Sequence, residues 1–171
     1  RALLDLPFLF DTPQQAQAAV DGRLGELIKK RSIEQGVRIL GFLESGFRDL
    51  FSNKPIEKIE DFRGLRIRTM ENKMQMTMFK ALDCKVVPMP AHEQREALMQ
   101  GRIDANENAI GNMLINRYYE LIKHVTRTQH QYTFVLVGIS DEIYQKIPAE
   151  LRPALETAMQ RAVLWQRNDL K

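Results

Sequence analysis

Between Leu65 and Asn108 the hydrophobic period of the sequence changes every few residues, and that alternation narrows the possible folds more than any other feature. "LRIRT" (Leu65 to Thr69) sets Leu65, Ile67 and Thr69 on one face and Arg66 and Arg68 on the other, the period of a half-buried strand. Met74, Met78, Phe79 and Leu82 then mark one face of a helix. "CKVVPM" is a short strand, stopped by Pro88 and Pro90. "HEQREALMQG" reads as a helix closed by Gly101, and "RIDANEN" as a short strand or strand end. Strands alternating with helices predict an α/β architecture with mainly parallel pairing. In such sheets ligands collect just past the carboxyl ends of strands. Those ends are the places to look for a site.

The flanks extend the pattern. Thr12-Pro13-Gln14-Gln15 has a capping residue, a proline suited to the first turn and a glutamine placed to complete a capping box. A second helix follows with Leu24, Leu27 and Ile28 on one face, and Gly36 is placed to end it. "VRILGFL" (Val37 to Leu43) and "GFRDLFS" (Gly46 to Ser52) read as two strands, and "NKPIEKIEDFRG" as a turn-rich connection. Gly111 to Tyr119 can start another helix. "HVTRTQHQYTFVLVGIS" is long for one strand and is expected to cross between two sheets or domains. Ser140 can cap a helix of Asp141 to Lys146. Leu151, Leu155, Ala158, Met159, Ala162 and Val163 give the final segment a helical stripe.

Composition excludes several classes. The 171 residues are 44% hydrophobic and 27% charged, ordinary for a globular chain with one or two domains. The net charge of +3 is spread among interleaved acids and bases, so no nucleic-acid stripe is expected. No apolar run approaches the ~20 residues needed to cross a bilayer as a helix. Cys84 is the lone cysteine, which excludes an intrachain disulfide. The chain opens on "RALLDLPFLF" with neither initiator methionine nor signal peptide, and stops inside what reads as a helix; a fragment of a longer chain is expected.

The oxygen ligands at Asp104, Asn106 and Asn108 look like the start of a calcium loop. That loop needs glycine at its sixth position and glutamate at its twelfth. Here those positions hold Ala109 and Ile115. His92, His124 and His130 are scattered, with no paired cysteines or zinc motif, and nucleophile elbows, P-loops and dinucleotide fingerprints are missing from the sequence. Cys84 lies between Asp83 and Lys85 and suits a buried structural role better than a reactive one.

The arginines carry more. A guanidinium is a planar fork that meets both oxygens of a carboxylate, and Arg68 sits at the end of a strand expected in the core. Facing water, or pairing with Glu71 or Asp61, are the structural alternatives. Arg48 is a similar single charge, between Phe47 and Phe51.

"LDLPFLF", "LGFLESGFRDLFSNKPIEKIEDFRGLRIRT", "VVPMPAHEQREALMQGRIDANENAI" and "HVTRTQHQYTF", in that order and spacing, resemble the substrate-binding proteins of TRAP transporters, the DctP-like family. The resemblance covers essentially the whole chain. It implies an α/β, periplasmic-binding-protein-like fold of two lobes with a ligand cleft between them. Residues 1–45 and 134–171 would be parts of an incomplete lobe I, and residues 46–133 lobe II. It implies a periplasmic protein that captures a small organic acid and delivers it to the membrane subunits of a TRAP permease. No catalytic residue, metal, cofactor or nucleic-acid partner is implied. A ligand-sensing domain of a signalling protein, or an enzyme acting on a small carboxylic acid, are the alternatives; the identity of the acid stays open.

The resemblance also assigns residues. The family's ligand arginine falls on Arg68, its "GfR" arginine on Arg48 and its strand-end asparagine on Asn108. Ala105 and Ala109 replace the glycine and proline usual beside that asparagine. Ala91 stands where some members place an aromatic side chain against the ligand. Glu71 and Asn72 could meet a hydroxyl or amine, or simply start the next helix.

Overall fold

The computed structural model of the protein describes residues 2–170. Thr12 opens the first helix, α1 (Pro13–Asp21), by accepting from the Gln15 amide at 3.2 Å, while the Gln15 side chain accepts from the Asp11 amide at 2.9 Å. The reciprocal half of the capping box thus closes one residue earlier than its usual geometry. Helix α2 (Arg23–Ile33) is followed by a turn through Gly36, whose φ of +76° leads the chain into β1 (Val37–Ser52). Then follow β2 (Arg66–Thr69), α3 (Lys73–Ala81), β3 (Lys85–Pro88), α4 (Gln94–Met99), β4 (Ala105–Ala109) and α5 (Ile110–Ile115). The last elements are β5 (His124–Ser140), α6 (Asp141–Lys146) and α7 (Arg152–Asp169).

Three local expectations change. "VRILGFL" and "GFRDLFS" are one strand of 16 residues, because Gly46, at φ +84°, absorbs an irregular step without breaking it. Ser140 precedes α6 as expected, but its side chain makes no capping bond; the Asp141 amide donates to the Gly36 carbonyl at 2.9 Å instead. The sheet, ordered β3-β2-β4-β1-β5, is mixed: β2 runs parallel to β3 and β4, but β1 pairs antiparallel with β4.

The chain divides into two compact units; two of the three divisions fall inside the long strands β1 and β5, and the third lies between Leu9 and Phe10. One unit contains residues 2–9 and 47–133, the other 10–46 and 134–170. The opening segment, expected with the residues that follow it, packs into the first unit for a polar reason. The Phe8 amide donates to the His130 carbonyl at 2.8 Å, and the buried Asp5 carboxylate accepts from Asn72 at 2.8 Å and Gln131 at 3.1 Å.

In the first unit, register and pleat sort the side chains. Ile67 pairs with Ala105 and with Val86, and Leu50 with Glu107, so these share a face; α3 and Phe62, Phe79 and Cys84 close the core over it. The opposite face carries Phe51 against Met113, Tyr118 and Ile122, and Val87 against Met89, Ala97 and Ile103.

The second unit packs α1 and α2 closely: a Cβ on Gly25 would lie 1.7 Å from the Val20 carbonyl oxygen, so only glycine fits. Gly41 of β1 leaves room for Met159 and Val163 of α7, and Phe134 stacks edge-on against Phe10 and Phe42, each with ring centroids 6.3 Å apart. Arg167 of α7 pairs with Asp21 at 2.6 Å.

Candidate ligand-binding site

The candidate residues lie in the first unit, at the carboxyl ends of β2 and β4. Arg68 of β2 pairs in register with Asn106 of β4, and Asn108 lies two residues further along the same face. This is the face of Phe51 and Tyr118. Arg48 pairs with Ala109, which puts it on the opposite face with Leu50 and Glu107. Arg68 and Asn108 are therefore brought to one face; Arg48 comes from behind it.

Arg68 is 2% exposed, an unusual burial for a cation. Its Nε and Nη2 both donate to the Met89 carbonyl, at 3.0 and 2.7 Å, which fixes the plane of the fork. Among the described residues it has no carboxylate partner. Burial pulls the guanidinium below its ordinary pKa; Glu107 opposes that, Arg48 adds to it and Tyr118 opposes it. The result is a desolvated positive charge held by a neutral carbonyl, which favours an incoming anion.

Arg48 is committed elsewhere. Its Nε bonds one Glu107 oxygen, and its Nη2 donates to the other at 2.8 Å and to the Glu107 carbonyl at 2.9 Å. Glu107 has no exposed surface and also meets His130 Nε2 at 3.3 Å, while His130 Nδ1 contacts Thr128 Oγ1 at 2.8 Å. Burial alone would raise the Glu107 carboxyl; Arg48 and His130 more than offset it and hold it below its ordinary value. Glu107 is thus a fully buried anchor. The signal for it in the sequence was its parity: in "DANEN" it alternates out of phase with Asp104, Asn106 and Asn108, toward the core.

Asn108 is half-buried. Its Oδ1 accepts from the Ala109 amide and from Asn112 Nδ2, both at 2.9 Å, and among the described residues its own Nδ2 has no partner. Ala91 is exposed, at the start of a single turn of 3-10 helix, and its carbonyl lies 3.5 Å from the Tyr118 hydroxyl. Tyr118, which the sequence did not single out, brings an aromatic ring and a hydroxyl close to Arg68; burial raises its pKa, so it is neutral at pH 7.

Glu71 is exposed and contacts none of these groups. The start of α3 belongs to Asn72, whose Oδ1 accepts from the Met74 and Gln75 amides at 2.9 and 3.3 Å. Arg66 faces water in part and pairs with neither Glu71 nor Asp61: it holds Asp104 at 2.6 Å, and that bond keeps the Asp104 carboxyl below its usual value. In the apparent calcium pattern Asp104 is thus spent on Arg66 and Asn108 Oδ1 on Ala109 and Asn112, and among the described residues no cluster of three His, Cys, Asp or Glu side chains could hold a metal. Cys84 donates to the Phe62 carbonyl at 3.3 Å, and burial pushes its thiol up to about 11. It is a packing residue.

The chain is similar to known proteins over its whole length. The family model described as bacterial extracellular solute-binding protein, family 7 matches residues 1–171. The 2,3-diketo-L-gulonate-binding periplasmic protein of Escherichia coli is 32% identical over 166 residues, 96% of this chain and 51% of its own length. A TRAP periplasmic solute-binding protein of a Polaromonas species, bound to D-erythronate, superposes with a TM-score of 0.93 at 31% identity, over 98% of this chain and 56% of its own. Another from Sulfurospirillum deleyianum, with bound succinate, has a TM-score of 0.91 at 31% identity, over 98% and 55%. The chain spans about half the length of the curated relatives it matches. These relatives are binding proteins rather than enzymes, and the chain belongs to the bacterial extracellular solute-binding protein family 7, the DctP family.

Proposed function

We propose that this chain forms part of a periplasmic solute-binding protein that captures a small organic acid and delivers it to a TRAP-type membrane permease. The observation that carries the reading is Arg68: a buried guanidinium with a fixed plane and no carboxylate partner among the described residues. An incoming carboxylate supplies the missing counter-charge. Away from water the pairing strengthens, since the same charges attract more at low dielectric. Asn108 donates from Nδ2 to a second oxygen of the ligand, and the Tyr118 ring covers the carboxylate end. Arg48 contributes mainly through Glu107, which fixes β1 against β4 behind the site; only its Nη1 is left to reach a ligand. No bond is made or broken, so no general acid or base is required. The reading is supported by relatives whose names and bound ligands are organic acids: diketogulonate, erythronate and succinate.

A thermal-shift screen of three- to six-carbon organic acids tests this reading. At least one acid should raise Tm in proportion to the logarithm of its concentration, as binding to the native state requires. Neutral polyols of the same size should not. A protein stabilised equally by acids and polyols would rule out the carboxylate reading.

A further inference from the structure

Counting charge around the site sharpens the ligand. In this unit, Arg68 is the one buried arginine without a carboxylate partner among the described residues. Arg48 is neutralised by Glu107 within the same buried strand pair. Arg127, on the edge strand β5, is held by the buried carboxylate of Asp49 at 2.9 Å, and Asp49 is the register partner of Asn108. Asp49 also accepts from the Gln129 amide at 3.0 Å through its other carboxylate oxygen, which fixes that carboxylate beside Arg127. Arg66 is held by Asp104 at 2.6 Å, and Glu120 is shared by Arg95 at 2.8 Å and Arg117 at 2.5 Å. Among the described residues each of these arginines meets a carboxylate, and the surplus charge of the pair that shares Glu120 sits on exposed side chains, whereas that of Arg68 is buried.

The remaining polar groups are neutral. Among the described residues Asn108 Nδ2 is a donor without a partner, the Tyr118 hydroxyl makes only a 3.5 Å contact, and Asn106 Oδ1 is a buried acceptor without one. Amides and a phenol match hydroxyl and carbonyl oxygens; they do not compensate a second ionised carboxylate taken out of water.

We infer that the acid this site takes carries a single negative charge: a monocarboxylate whose other oxygens are neutral hydroxyl or carbonyl groups, rather than a dicarboxylate. This rests on the organic-acid reading above and adds a preference that the relatives do not decide, since one is bound to erythronate and another to succinate.

Isothermal titration with matched ligands at pH 8, where every acid used is fully ionised, separates the two claims. Erythronate and tartrate differ at one end, a hydroxymethyl group against a carboxylate. Succinamate and succinate differ by an amide against a carboxylate of nearly the same shape. The monoanion of each pair should bind at least tenfold more tightly. Equal or tighter binding of the dicarboxylate in both pairs overturns the inference while leaving the carboxylate site standing. If no acid of either class binds, the organic-acid reading itself fails. Glu107→Gln removes the counter-charge of Arg48 and should shrink the monoanion preference severalfold; an unchanged ratio in a folded variant would contradict the charge count. Should that variant not fold, the wild-type pairs decide alone.

Discussion

At the residue scale the site is a set of charges with unequal partners. In the proposed reading Arg68 serves a ligand rather than stability: a desolvated guanidinium on a carbonyl costs free energy in the unliganded protein. Arg68→Met should therefore leave the Tm of the ligand-free protein unchanged or raise it, measured by calorimetry, while abolishing ligand-induced stabilisation. Arg68→Lys should keep part of the affinity, because an ammonium supplies the charge but not the planar fork. Glu107 behaves in the opposite way. Its folded pKa lies below the ordinary 4.5, so the unfolded chain binds the proton more readily. The stability it contributes is present above pH 4.5 and is lost as pH falls through the lower folded value. Glu107→Gln should cost about 3–5 kcal/mol at neutral pH by leaving Arg48 buried without its counter-ion, and should flatten the acid limb of a Tm-against-pH curve. An equally steep limb in the variant would place the acid sensitivity elsewhere. Cys84, with its thiol pushed up to about 11, should resist alkylation at pH 8 until the chain unfolds, as mass spectrometry would record.

At the scale of elements, much was legible and the omissions have physical causes. "LRIRT", "CKVVPM" and "RIDANEN" announced β2, β3 and β4 because their period and proline stops are local properties. The continuity of β1 was not local. A glycine in an apolar run reads as a break, and only the pairing of neighbouring strands shows that Gly46 is carried inside one. The antiparallel pairing of β1 with β4 was hidden for the same reason: pairing partners far apart in sequence leave no periodicity to read. In the site, Arg68 and Asn108 could be found as strand-end residues. Tyr118 could not, because its nearness to Arg68 is created by the chain turning back after α5, through Arg117 at φ +53°. The element most sensitive to a single change is the α1–α2 corner. Gly25→Ala would drive a Cβ into the Val20 carbonyl, and backbone cannot rotate away as a side chain can. A loss of about 1–3 kcal/mol in denaturant unfolding is expected; a loss under 0.5 kcal/mol would mean that the corner relaxes freely.

At the scale of the whole molecule, the proposed site lies in one of the two compact units. The first unit supplies Arg68, Asn108, Tyr118 and the buried pair of Arg48 and Glu107, all from residues 47–133. The second has its own packing, built on α1, α2, α6 and α7 against the outer parts of β1 and β5. In the proposed reading, capture needs one unmatched cation and neutral donors around it. The account stands or falls on that cation. Isothermal titration of a stabilising organic acid into the wild-type protein and into Arg68→Ala tests it most directly. The loss expected on removing one partner of a desolvated charge pair is about 2–5 kcal/mol, or at least about 30-fold in Kd, with the fold intact by circular dichroism. An Arg68→Ala protein that binds the same acid with unchanged affinity would contradict it.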